Sequence, residues 1–317
     1  MSAIDSLLAI TRALPGIDGV VEALRTLASR LGGGYVLAFH DISQGTFLDV
    51  IEALRPDEPV SLDDVVERLE SGKSTRGLFA ITIDDGYDTA VRSLSDAALA
   101  RGYPLTFYLP IEFLDGTPMP SLIVRSLQTH LPHTDIQVGD SLLQLSDSVQ
   151  RKRFFRDIIS RMYTTCQHEY FPSVERLITS ACDAGLVDRA RLFNLPRAIP
   201  WEEVASLSRH PTLSFQSHGV THQAVSALSD GQLQAEILES QRRIRECTGK
   251  SVDHFCYPYG GNESIGVRAP GIVGRYFRSG VTMVRGRADR ADRALIPRIP
   301  IYEKDDRVRA RVKTITT

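Results

Sequence analysis

The hydrophobic pattern of this chain alternates between two periods. Short runs of apolar, β-branched and aromatic residues, each closed by glycine, proline or a polar turn, recur at 35–42 (YVLAFHDI), 78–86 (LFAITIDDG), 104–110 (PLTFYLP), 212–219 (TLSFQSHG), 254–260 (HFCYPYG), 279–284 (SGVTMV) and 294–301 (ALIPRIPI). Runs of this length and composition predict buried strands. Between them lie stretches with helical spacing. SLDDVVERLE opens on a Ser-x-x-Asp cap, and SDGQLQAEILESQRRIREC keeps its apolar residues at helical intervals, with Gly249 just beyond to end it. Strands alternating with helices predict an α/β fold with a parallel sheet, open or closed into a barrel.

Residues 111–200 break that rhythm. They carry no strand pattern but several helical ones, including RKRFFRDIISRMY, where Phe154, Ile158 and Met162 recur at i, i+4 and i+8. This predicts a helical insertion after the third strand. The first thirty residues predict a further helix through Val20, Val21, Leu24, Leu27, Ala28 and Leu31. The expected organisation is a helical extension over 1–34, a catalytic domain over 35–302 that contains the 111–200 insertion, and a tail over 303–317.

Composition narrows the class. With 317 residues, 42% hydrophobic, 24% charged and a formal net charge of −2, the chain reads as an ordinary globular protein. It lacks the basic excess of a nucleic-acid-binding surface, and RKRFFR and RVRARVK read as local solvated faces. No basic leader precedes an apolar stretch, and no run is long and apolar enough to predict a transmembrane segment. Cys166, Cys182, Cys247 and Cys256 form no CxxC pair and no disulfide framework, so the expected location is the reducing cytoplasm.

Functional groups of parallel α/β folds collect at the C-terminal ends of the strands. Those ends read His40 and Asp41, Asp84 and Asp85, His218 and His222, then Tyr257, Pro258 and Tyr259. Adjacent carboxylates closing a buried strand repel each other and are desolvated, so they call for a compensating cation. An Asp-Gly pair otherwise marks a turn, and an HxxxH spacing arises by chance; here both fall at the ends of strand-like runs. If a helical turn begins after the strand, His218 and His222 face one way. One carboxylate with two imidazoles then suits a divalent ion with positions open to water and substrate, the arrangement of a metal-assisted hydrolase.

The order TIDDG, HGVTH, CYPYGG, LIPRIPI resembles the polysaccharide deacetylase family, the nodulation-factor-deacetylase-like domain of carbohydrate esterase family four, over about residues 35–302. The resemblance implies a distorted (β/α) barrel and a metal-dependent removal of an acyl group, usually acetyl from an amino sugar. By position, Asp84 corresponds to the catalytic base and Asp85, His218 and His222 to the metal ligands. The backbone N–H of Tyr259 corresponds to a donor for the oxyanion. Zinc is the default ion, with nickel or cobalt as alternatives. Adjacent residues at a strand end point to opposite sides, which agrees with separate roles for the two aspartates.

Two departures from the family pattern stand out. Cys256 occupies the place where the third motif often has an arginine that braces the base, and LIPRIPI lacks the histidine that often serves as general acid. VLAFHDI resembles the first-strand motif of poly-N-acetylglucosamine deacetylases, whose histidine lies at the active site, so His40 is the candidate replacement acid. Tyr257 and Arg298 are expected at the substrate, with Arg298 alternatively steadying a site carboxylate or pairing on the surface. Trp201 reads as core packing. His130, His133, His168, His210 and His254 lack a partner at ligand spacing. The expected substrate is an acylated amino sugar, nucleotide-linked or lipid-linked, and the insertion is expected to set substrate preference. An O-acetyl esterase and a non-catalytic carbohydrate-binding barrel are the alternatives.

Overall fold

The computed structural model describes residues 33–288 and 291–302; the helix expected in the first thirty residues and the 303–317 tail lie outside the described residues. Ten strands form among them: β1 (Tyr35–Phe39), β2 (Glu58–Val60), β3 (Leu78–Ile83), β4 (Leu105–Leu109), β5 (Ile136–Val138), β6 (Ser141–Leu143), β7 (Leu213–Ser217), β8 (His254–Cys256), β9 (Ser279–Val281) and β10 (Ile299–Pro300). The main sheet runs β10-β1-β3-β4-β7-β8-β9, with β2 also on β3, and every pairing in it is parallel. It curls into a half-closed (β/α) barrel. Ile296 bridges to Val281 of β9, while Ile299 and Pro300 pair with Leu37 and Ala38 of β1. One short segment thus reaches from the last strand back to the first.

Both faces of the sheet are covered, which is why its strands read as unbroken apolar runs. Side chains alternate with period two. Leu37, Phe39, Ile81, Ile83, Phe107 and Phe215 join the main core beneath the surrounding helices. Val36, Ala80, Tyr108, Cys256 and Val281 form a smaller interior cluster with Ile296. Extending the interior parity past the strand ends leads from Ala38 to His40, from Thr82 to Asp84, and from Gln216 to His218.

The helix caps form as the sequence predicts. Ser61 and Asp64 make a capping box at the start of Leu62–Glu70, and Ser229 with Gln232 does the same for Asp230–Thr248. That second helix stops at Gly249, whose φ of 66° suits a residue without a Cβ. The insertion is mainly helical and has its own core, with Leu127, Phe155, Met162, Tyr170, Val174 and Leu177 buried in it.

Three sequence readings are corrected. The insertion does contain strands, the antiparallel hairpin β5–β6, which at three residues each are too short to register as a hydrophobic run. In the helix Ser148–Thr164 the buried stripe is Arg151, Phe155, Ile158 and Met162, and Phe154 packs only at its margin. Arg151 is buried because its guanidinium donates to the carbonyls of Gln128, Leu131 and Pro132 at the end of the helix Pro120–His130. Finally, ALIPRIPI is a strand only at Ile299–Pro300. Its first residues form a 3₁₀ turn, and Pro297 and Pro300 have no N–H to give a ladder. Among the described residues, no helix is long and apolar enough to cross a membrane.

Candidate functional site

The C-terminal ends of β1, β3, β7 and β8 converge on one buried polar cluster. The ladder runs one residue past each strand there: Asp84 N donates to Phe39 O, His218 N to Leu109 O and Tyr257 N to Val281 O. The chain then turns sharply. Among the described residues, the non-glycine positions with left-handed φ are Asp85 (71°), His222 (55°) and Tyr259 (62°), and all three belong to this cluster. Such a conformation costs on the order of 1–3 kcal/mol per residue and is kept where the surroundings hold it.

Asp85, His218 and His222 come together as expected. Oδ1 of Asp85 lies 3.5 Å from His218 Nε2 and 3.4 Å from His222 Nε2, and all three residues are buried. These gaps are longer than good hydrogen bonds. They match the roughly 3.3 Å edge between donors that each stand about 2 Å from one tetrahedrally bound ion. The Nδ1 of His218 is 2.7 Å from the carbonyl of Cys256, which can only accept, so Nδ1 carries a proton and Nε2 is the atom turned to Asp85. Burial works to lower the His218 pKa, but its neighbours Cys256 and Asp85 hold it well above the usual imidazole range, so an ion bound there would displace a proton from Nε2. Burial pushes the His222 pKa down and so favours its neutral form, which is the ligating one. Burial by itself would raise the Asp85 pKa, but the neighbouring His218 and His222 hold it well below the usual carboxylate range. The donor set fits a divalent ion.

Asp84 is held differently. Arg298 donates from Nη1 to Oδ1 and from Nη2 to Oδ2, each at 2.7 Å. Its remaining donors go to Thr282 O from Nε (2.9 Å), to Thr82 Oγ1 from Nη1 (2.9 Å) and to Cys256 Sγ from Nη2 (3.0 Å). All five guanidinium protons are therefore engaged within the barrel. Burial works to raise the Asp84 pKa, and the Arg298 charge outweighs it, so the carboxylate stays ionised below its usual range. Burial pushes the Cys256 thiol up, leaving a neutral S–H 3.5 Å from Asp84 Oδ2. His40 approaches from the end of β1, with Nε2 3.6 Å from Asp84 Oδ2 and Nδ1 buried without a partner among the described residues. The ring of Tyr259 meets that of His222 at 5.0 Å, edge to face.

Two residues expected at the substrate stand elsewhere. Arg298 is fully buried and spends its donors on the protein, so of the readings open to it the carboxylate brace is the one observed. Tyr257 is also buried and donates its hydroxyl to Ala294 O at 2.9 Å, on the helix side of β8. Trp201 packs against the main core and donates to Asp115. Sequence reasoning missed Tyr87, a buried neighbour whose hydroxyl pKa is pushed well up by burial and then by the Asp85 charge. It also missed Tyr163, which the insertion packs on Tyr259 at 4.9 Å. The position of Tyr87 directly after DDG was the available signal for the first; Tyr163 had none.

Residues 161–268 match the family model described as polysaccharide deacetylase. That stretch contains His218, His222 and Tyr259 and begins beyond Asp84 and Asp85. No curated protein matches the chain. Among solved structures, the BpsB deacetylase domain from Bordetella bronchiseptica is similar at a TM-score of 0.53 and 12% identity, over 85% of this chain and 96% of its own. IcaB from Ammonifex degensii is similar at 0.51 and 13%, over 90% and 97%. A de-N-acetylase from Aggregatibacter actinomycetemcomitans is similar at 0.50 and 15%, over 84% and 94%. At these identities the structures speak to the fold, and they share the deacetylase (β/α) barrel. The resemblance to the polysaccharide deacetylases holds, and family match and fold together support carbohydrate deacetylation.

Proposed function

We propose that this chain is a metal-dependent hydrolase that removes an acyl group, N-acetyl being the expected one, from an amino sugar or glycan precursor. The observation that carries the reading is the pairing of a ligand set, Asp85, His218 and His222, with a braced carboxylate, Asp84, at the same strand ends. Asp85, His218 and His222 would hold the ion, with zinc the default and nickel or cobalt alternatives. A divalent ion bound there lowers the pKa of water and polarises an acyl carbonyl.

The chain's own groups provide the rest. Asp84, kept ionised by Arg298, accepts the proton of the attacking water as general base. The backbone N–H of Tyr259 donates to the oxyanion that develops on the acyl oxygen. His40, beside Asp84, protonates the departing amine. Tyr87 and Tyr259 wall the cluster and limit water around it. We include in the proposal a nucleotide- or lipid-linked sugar as substrate and a cytoplasmic site of action, both resting on the sequence reading alone.

The test is a screen of the zinc-loaded protein against N-acetyl, N-formyl and O-acetyl amino sugars, with release of the free acid as the readout. Release from an N-acyl sugar supports the reading, release from O-acetyl sugars alone makes the chain an esterase, and inactivity on all three with metal bound contradicts hydrolysis.

A further inference from the structure

The loop that carries His222 is held by a side chain outside the ligand set. After β7 the chain must turn at once, through Gly219 at φ 78° to His222 at φ 55°. The amides exposed by that turn have left the sheet ladder and need acceptors. Glu236, on the helix Asp230–Thr248, takes them. Its Oε2 accepts from Val220 N at 2.5 Å and Thr221 N at 3.0 Å, and its Oε1 accepts from the Thr221 hydroxyl at 2.6 Å. On the opposite edge, the carbonyls of Gly219 and Val220 accept from Ile111 N at 3.2 Å and Glu112 N at 2.9 Å.

Two further features fit this clamp. A Cβ at position 219 would lie 3.0 Å from Glu236 Oε2, so the missing side chain of Gly219 leaves room for the carboxylate. Gln223 extends the network: its amide donates to Thr221 Oγ1 at 3.0 Å and its carbonyl accepts from Gln167 N at 2.8 Å, at the start of an insertion helix. Bonds to an ionised acceptor are roughly twice as strong as neutral ones, and three of them converge on one carboxylate immediately before His222.

We infer that Glu236 is a positioning residue that holds His222 in its metal-binding conformation. The inference rests on the metal-ligand reading above and extends it to a residue that does not itself touch the ion. Groups that orient ligands in this way are worth roughly 10–100-fold in metal affinity. A residue needed only for folding would lower the melting temperature without changing the zinc affinity of molecules that are folded.

The experiment is zinc affinity by competition with a chromophoric chelator, at a temperature where circular dichroism shows each protein folded. Glu236→Ala should weaken binding about 10- to 100-fold. Thr221→Val, which keeps the backbone and loses the hydroxyl's bonds to Glu236 and Gln223, should weaken it less, and Thr221→Ser should restore it. If Glu236→Ala does not fold, the Thr221 pair carries the test. Wild-type affinity in both Glu236→Ala and Thr221→Val, with zinc bound by the wild type, overturns the role of Glu236. Failure of the wild type to take up zinc at all overturns the metal reading beneath it.

Discussion

Arg298 and Asp84 form a bidentate pair at the centre of the barrel, 2.7 Å on each arm and 214 residues apart in the chain. The arginine missing from the third motif is thus replaced from the segment just before β10, and Cys256, which occupies the vacated place, contacts both partners. Asp84, the proposed base, is braced, and of the roles left open for Arg298 this is the one found.

That pair makes a two-part prediction. Arg298→Gln leaves a buried carboxylate uncompensated, which should destabilise the fold by about 3–5 kcal/mol, measurable by denaturant titration. In whatever fraction folds, the acid limb of the pH–rate profile should move to higher pH. The sign follows from the direction of the shift: Asp84 works ionised, Arg298 holds its pKa down, and removing the arginine lets burial raise it. An unmoved acid limb would show that another group controls it.

Asp84 and Asp85 should separate cleanly. Asp84→Asn is expected to retain metal while turnover falls by a factor on the order of 100 to 10000, the usual range for loss of a general base. Metal analysis beside steady-state kinetics checks this. Loss of metal from Asp84→Asn and its retention in Asp85→Asn would reverse the two roles.

How much of this was legible depended on locality. The seven main strands showed as apolar runs because both faces of the sheet are covered, and the DDG and HGVTH groups showed because they are polar residues closing such runs. The Arg298 brace showed only as one of several readings, since its partner is distant in sequence and an arginine in LIPRIPI could equally face solvent. Tyr257 was misplaced for a related reason. It follows a strand directly, but its parity sends it to the helix side of the sheet, where Gly280 leaves space for its ring. The β5–β6 hairpin hides because each of its strands is only three residues long.

His40 should act on the leaving group. It directly follows β1, which pairs in parallel with β3, the strand that leads into Asp84, and reaches to 3.6 Å from that carboxylate. His40→Ala should keep its metal, slow N-acyl substrates strongly, and slow activated esters far less, because an alkoxide needs less protonation as it departs. Equal loss on both substrate classes would make His40 a positioning residue.

The insertion should set substrate preference. Its Tyr163 packs on Tyr259, whose ring in turn meets His222, so the insertion borders the site through an aromatic chain. Exchanging residues 111–200 for the equivalent segment of a relative should change which sugar is cleaved and leave zinc affinity similar. An unchanged substrate profile would place specificity in the barrel.

The most direct measurement is metal content by elemental analysis of the purified zinc-loaded protein and of the His218→Ala/His222→Ala double variant, with acid release assayed on both. The account predicts about one ion per wild-type chain, as for a site with three protein ligands, and loss of both ion and turnover in the double variant. Undiminished zinc in the double variant would contradict the assignment of Asp85, His218 and His222 as the metal centre.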